Sequence, residues 1–159
     1  MMDINIIAVG KIKENYIING INEYSKRLSS YCDLNIIEVK EAKMDKESQK
    51  AGDRIKKKEG ERLWEKLPDN GYDIALDASG KPMTSEGLAK SISNLQVQGY
   101  SSLNFIIGGS LGLSSELLEK VDYTLSLSRM TFTHQMIRLI LLEQLYRAFK
   151  IKAGEPYHK

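Results

Sequence analysis

The chain has 159 residues, 42% of them hydrophobic and 28% charged, with a net charge of +2. That is ordinary for one soluble globular domain spanning residues 1–159, and no apolar run approaches the roughly 18 residues of a membrane span. The single cysteine, Cys32, excludes an intrachain disulfide and makes the cytoplasm the default, and two histidines are too few for a typical structural zinc site.

In chain order, residues 5–9 form a short apolar run bounded by Gly10, which reads as a first strand and not as a signal peptide. Ile17, Ile18, Ile21, Tyr24 and Leu28 recur at helical spacing. Residues 34–39 read as the second strand. Residues 40–66 hold ten basic and seven acidic residues and predict a charged, exposed helix ending before Pro68. Within it, Lys56, Lys57 and Lys58 are either a solvated face or a phosphate contact. With a net charge this weak, any nucleic-acid binding would come from local patches.

Pro68-Asp69-Asn70-Gly71 is a turn, and residues 73–76 are the third strand, continuing into 77–82. Thr84 or Ser85 caps a helix to about residue 95, with Glu86 at its positive end. An apolar strand at 103–107 then runs into Gly108, Gly109 and Gly112. A short amphipathic segment (114–121), a strand (123–127) and a polar loop (128–133) lead into a long apolar helix over about 133–152. Strands alternating with helices predict an α/β fold, a mainly parallel sheet with helices on both faces. Two strands deliver two loops to one sheet end, where such folds bind ligands.

The last helix is apolar on nearly all sides, so in a chain this short a second subunit is its natural cover. Arg138 projects away from the helix's polar strip, among Leu142, Leu145 and Phe149. It is read either as a structural ion pair or snorkelling side chain, or as an arginine facing an active site. After Gly154 the helix must stop, and Tyr157 and His158 then read as a frayed tail.

Gly108-Gly109-Ser110-Leu111-Gly112 matches the nucleophile-elbow pattern of serine hydrolases, with Asp122 and His134 following in hydrolase order. Against it, Gly112 and Leu113 delay the helix that must aim the serine, and the chain is short for a hydrolase sheet. The same glycines lack the dinucleotide spacing, and Gly80-Lys81 lacks the preceding glycine of a phosphate loop. What remains is a site built mostly of main chain, with Gly108 and Gly109 allowing close approach. Leu76, Leu127, Met130 and Phe132 supply an apolar lining that suits a purine-bearing ligand.

The blocks FIIGGSLG, LSLSRMTFTHQM, RLILLEQLYRA and PYHK, with INIIAVGKIKE and LDASGK before them, closely resemble the RlmH family over the whole chain. One departure is Thr133, where relatives commonly carry proline; threonine can cap the helix there. The resemblance implies a SPOUT-class methyltransferase with a C-terminal trefoil knot, one of the rare exceptions to unknotted chains. It implies a homodimer, S-adenosylmethionine as cofactor, and N3 of a pseudouridine in 23S ribosomal RNA, on assembled ribosomes, as target. By matching positions, Leu76, Gly108, Leu127, Ser128, Arg129, Met130, Thr131 and Phe132 would form the donor pocket. His134, Arg138, Tyr157 and His158 are the candidates for handling the N3 proton or its anion, the tail lying near the partner subunit's donor.

Overall fold

The computed structural model describes residues 1–43 and 49–159; the first part of the expected charged helix, at 44–48, lies outside them. The elements run β1 (Met2–Val9), α1 (Asn15–Leu28), β2 (Cys32–Val39), α2 (Gln49–Glu65), β3 (Tyr72–Pro82), α3 (Ser85–Val97), β4 (Ser102–Ile107), α4 (Ser115–Lys120), β5 (Tyr123–Ser126) and α5 (His134–Lys152). The strands form one sheet in the order β2-β1-β4-β3-β5, every pairing parallel.

A parallel sheet is covered on both faces, so its central strands are apolar at consecutive positions. Ile4, Ile6 and Ala8 of β1, Leu103, Phe105 and Ile107 of β4, and Ile74 and Leu76 of β3 point to one face, where α1, α3 and α5 pack. Ile7 and Val9, Ile106 and Ala75 point to the other, under α2 and α4. The edge strand β2 exposes Asp33, Asn35 and Glu38, which discourages pairing with another chain.

One polar row crosses this apolar sheet. Asn35, Asn5, Asn104 and Asp73 stand in register on β2, β1, β4 and β3. Asn35 donates to Asn5 (3.1 Å), Asn5 to Asn104 (2.9 Å) and Asn104 to Asp73 (2.9 Å). Each amide buried in the row thereby finds a partner, and a slipped register would strand them. Burial pushes the Asp73 carboxyl above its ordinary value.

Helix ends follow local chemistry. The hydroxyls of Thr84, Ser114 and Thr133 accept from the amides of Gly87, Leu117 and Met136, so Thr133 does cap α5. At the other end of α5, Gly154 adopts φ +67°. Its amide donates to the Ile151 carbonyl, and the Glu155 amide reaches back to Lys150. This turn directs the tail back along the helix.

Much of the cover of α5 comes from within the chain. Arg138, Leu141, Leu142, Leu145, Ala148 and Phe149 are buried within the one chain, where α1 and α3 flank the helix. Met136, Leu139 and Ile140 are only half-buried. The periodicity of α5 could not distinguish cover by neighbouring helices from cover by a second subunit.

Candidate active site

The C-terminal ends of β3, β4 and β5 open into a cleft of about 880 Å³, within the range of small-ligand sites. Three segments wall it. The first follows β3: Leu76, Asp77 and Ala78 line the cleft where the β3–β5 register shifts between Leu76 and Lys81. Asp77 holds this excursion by accepting from the Ser79 amide at 3.0 Å and from its hydroxyl. Gly80 permits it, because a Cβ there would lie 2.6 Å from the Thr124 carbonyl oxygen.

The second wall is the glycine turn after β4. Gly112 donates to the Gly109 carbonyl at 3.0 Å and takes φ +87°, so residues 108–112 close into a tight loop with main chain facing the cleft. The third wall is the loop after β5. The Ser126 hydroxyl donates to the Ser128 carbonyl (3.0 Å), and the Ser128 hydroxyl accepts from the Met130 amide (2.9 Å). These bonds throw Met130 and Phe132 outward, where they stay exposed at the cleft rim. The first turns of α5 (His134, Gln135, Ile137) and the start of α1 (Glu14, Tyr16, Ile17) complete the enclosure.

A family model described as "Predicted SPOUT methyltransferase" matches residues 2–158. The chain belongs to the SPOUT methyltransferase family. It is 64% identical over 159 residues to "Ribosomal RNA large subunit methyltransferase H" of Halothermothrix orenii, covering 99% of this chain and 100% of that one. It is 58% identical, with the same coverage, to the protein of that name from Clostridioides difficile. A solved structure of a "probable methylase family protein" from Haemophilus influenzae Rd KW20 aligns over 98% of this chain and 70% of that one. Its TM-score is 0.55 at 13% identity, a likeness of fold.

A SPOUT methyltransferase moves a methyl group from a donor, so this protein is an enzyme that needs a donor site. Of the expected donor-pocket residues, Leu76, Gly108, Leu127, Ser128, Met130, Thr131 and Phe132 line the cleft, while Arg129 is exposed beside it and is not part of the lining. His134 lines the cleft as the first residue of α5. Glu14, Tyr16, Asp77 and Gln135 also line it without having been singled out from the sequence. Only the tertiary fold brings the start of α1 here, and polar residues at a helix start carry no signal of their own.

The hydrolase alternative fails on geometry. Ser110 lies in the cleft wall, but Asp122 precedes β5 and accepts from the Asp73 amide (2.8 Å) near the start of β3. That is the opposite end of the sheet from the cleft, so the three residues cannot form a relay.

Arg138 is buried at 2% exposure. It pairs with Glu38 at the end of β2 (2.5 Å) and donates to the Gly10 carbonyl at the end of β1 (3.1 Å). Its Nε, also buried, has no acceptor among the described residues. The arginine thus stands at the same sheet edge as the cleft without lining it, and the ion-pair reading describes its setting within one chain.

Nor is the tail frayed. Tyr157 donates to Glu143 (3.2 Å), lies 3.4 Å from the Tyr24 hydroxyl, and packs edge-on against Tyr146 with Arg147 over its ring. Burial is the largest influence raising the Tyr157 pKa, and the Tyr24 hydroxyl and Glu143 add to it. His158 Nδ1 faces Arg147 at 3.2 Å and Nε2 faces Glu86 at 2.7 Å. Arginine only donates, so Nδ1 accepts and the proton sits on Nε2, directed at Glu86. Neither Tyr157 nor His158 lines the cleft of its own chain.

One supporting residue escaped the sequence reading. Glu59 lies in the charged α2 yet is only 4% exposed. Its carboxylate accepts from the Ala42 amide (3.1 Å) and sits against Gly109, where an added Cβ would come within 3.2 Å of its Oε1. Next to it, Gly60 packs on Ser114, the cap of α4. Glu59 and Gly60 therefore brace both ends of the glycine turn from behind.

Desolvation is the largest influence on Glu59 and raises its pKa; the Ala42 amide opposes this. The unfolded chain therefore loses this proton first as pH rises. Stability declines between the ordinary glutamate value and the raised folded value, then levels off. Relative to the parent, Glu59→Gln should gain stability as pH rises from 4 to 7, measured by urea unfolding. A difference independent of pH would contradict this setting for Glu59.

Proposed function

We propose that this protein methylates N3 of a pseudouridine in 23S ribosomal RNA of assembled ribosomes, using S-adenosylmethionine, in the cytoplasm and as a homodimer of single-domain chains. The observation that carries this reading is the main-chain-walled cleft at the ends of β3, β4 and β5. It is formed by the segments that match the family's blocks, in a chain 64% identical to a large-subunit ribosomal RNA methyltransferase.

The residues present fit the donor. Leu76, Ile107, Leu127 and Ile137 offer an apolar bed for a purine, and the glycine turn offers peptide groups at close range. Glu14 and Asp77 supply carboxylates suited to ribose hydroxyls and to a positive sulfonium. S-adenosylmethionine supplies an electrophilic methyl group on a good leaving sulfur. The chain's residues then position N3 against that carbon, exclude water and take up the N3 proton.

His134 is the proton-handling candidate within the chain's own cleft. Tyr157, with its pKa raised, holds its proton and serves better as a hydrogen-bond donor to a carbonyl oxygen beside the N3 anion than as the base that takes the N3 proton. The tail of one protomer completes the partner's site, which accounts for Tyr157 and His158 lying away from their own cleft. The half-buried Met136, Leu139 and Ile140 of α5, with exposed Met130 and Phe132 at the cleft rim, are the apolar surface for that partner. The chain between β5 and α5 would carry the trefoil knot, which fixes the loop after β5 against the glycine turn.

The test is transfer of a tritiated methyl group to ribosomes that lack the modification. Labelling of 23S RNA is expected only when the pseudouridine is present. A folded protein that binds S-adenosylmethionine but labels no ribosome would overturn the reading. A monomer in sedimentation that transfers at full rate would overturn the composite site.

A further inference from the structure

The whole chain carries a net charge of +2, but that charge is segregated. Residues 11–14, 40–43 and 50–58 together hold nine basic and three acidic residues, a net of +6, which leaves −4 for the remainder. All three stretches belong to the sheet edge at which the cleft opens. The first follows β1 and ends at Glu14, which lines the cleft. The second follows β2: Glu41 packs against Gly10, and the Ala42 amide bonds Glu59, which rests on Gly109 of the cleft wall. The third is the first half of α2, where Gly52 abuts Leu111 at the tip of the glycine turn (3.9 Å).

Within α2, Lys50, Arg54, Lys57 and Lys58 recur at i, i+4, i+7 and i+8, which puts them on one strip of the helix. All four are exposed, and none pairs with an acid among the described residues; the pairing of α2 is Lys56 with Asp53. Acids do stand at helical spacing from this strip, Asp53 three residues after Lys50 and Glu61 four after Lys57, but among the described residues neither bonds to any of the four. Unpaired like charges on one helix face cost stability and are compensated when a polyanion neutralises them.

We infer that this strip, with Lys11, Lys13, Lys40 and Lys43 around it, is the surface that grips the phosphate backbone of ribosomal RNA beside the target base. The inference rests on the proposed function and adds the contact face. Phosphate contacts of this kind hold the register of the RNA without reading sequence, leaving the choice of base to the cleft.

The experiment replaces Lys50, Arg54 and Lys57 together by glutamine. Methyl transfer to unmodified ribosomes is followed against salt, and S-adenosylmethionine binding is followed by calorimetry. Donor affinity should be unchanged and kcat within about twofold, while KM for ribosomes at ~0.1 M salt rises at least about tenfold. The slope of log KM against log salt should become shallower by about 2, as three lost phosphate contacts require. A charge-preserving variant, Lys50→Arg with Arg54→Lys and Lys57→Arg, should behave as the parent.

Parental KM and slope in the glutamine variant would overturn the inference. So would equal losses in the charge-preserving variant, because the effect would then be structural. Direct binding to purified large subunits without donor separates the two claims. A parent that binds them in a strip-dependent, salt-sensitive way yet transfers no methyl group would sink the proposed function and leave this surface standing.

Discussion

Gly108→Ala is expected to lower affinity for S-adenosylmethionine at least about a hundredfold, close to 2.7 kcal/mol. A Cβ at this position would lie 2.7 Å from both the carbonyl carbon and oxygen of Gly112, and 3.1 Å from Leu113 Cδ2. The first two obstacles are main chain, which cannot rotate aside as a side chain can. The turn must open, and its opening moves the wall that faces the cleft. The neighbouring glycines give internal controls. At Gly109 the nearest atoms are side-chain ends, Glu59 Oε1 and Val9 Cγ1 at 3.2 Å, so Gly109→Ala should have a smaller effect. Gly112 has open space but φ +87°, so alanine there should cost about 1 kcal/mol of stability through backbone strain. Calorimetric titration and thermal unfolding of the three variants check this order. Parental donor affinity in Gly108→Ala would show that the turn is not a cleft wall in solution.

Arg138→Ala is expected to destabilise the fold by about 3 kcal/mol, the low end for breaking a buried ion pair. Glu38 keeps 36% side-chain exposure and can partly rehydrate, which moderates the loss. For a chain of this size the thermal midpoint should fall by roughly 6–12 °C. Removing the arginine also strands the Gly10 carbonyl at the end of β1, next to the segment leading to Glu14 of the cleft. If Arg138 also bears on the proposed transfer by fixing the start of the segment that leads to the cleft, then below the melting range methyl transfer should drop about a hundredfold while donor affinity changes little. Equal losses of transfer and donor binding would assign the residue to structure alone. A Glu38→Gln variant separates the roles further, since it weakens the pair while leaving the guanidinium in place.

The ion pair also shows where sequence reasoning stops. Burial of Arg138 follows from its place on α5, but its partner lies 100 residues earlier, on a strand that reaches it only in the folded sheet. Glu59 looked like one more solvated charge in a run of seventeen charged residues. It became a buried brace because α2 turns its inner face, with Gly52 and Gly60 on either side of it, toward the glycine turn. In the tail, Tyr157 and His158 have no local reason to be ordered. They are held because the left-handed turn at Gly154 sends them back onto Glu143, Arg147 and Glu86.

By itself the sequence determined the alternation of strands and helices, the parallel sheet, a cap at Thr84 or Ser85 and another at Thr133, the glycine turn and, through its motif blocks, the family. These are written in short-range patterns: consecutive apolar residues for a strand buried on both faces, hydroxyls before helices, glycines where main chain must come close. Only the tertiary structure decided which residues share the cleft, what holds Arg138, and that Asp122 sits at the far end of the sheet from Ser110. It also decided that three separated basic stretches meet beside the cleft. Those outcomes depend on strand order, β2-β1-β4-β3-β5, which sets residues far apart in the chain side by side and leaves no trace in local periodicity.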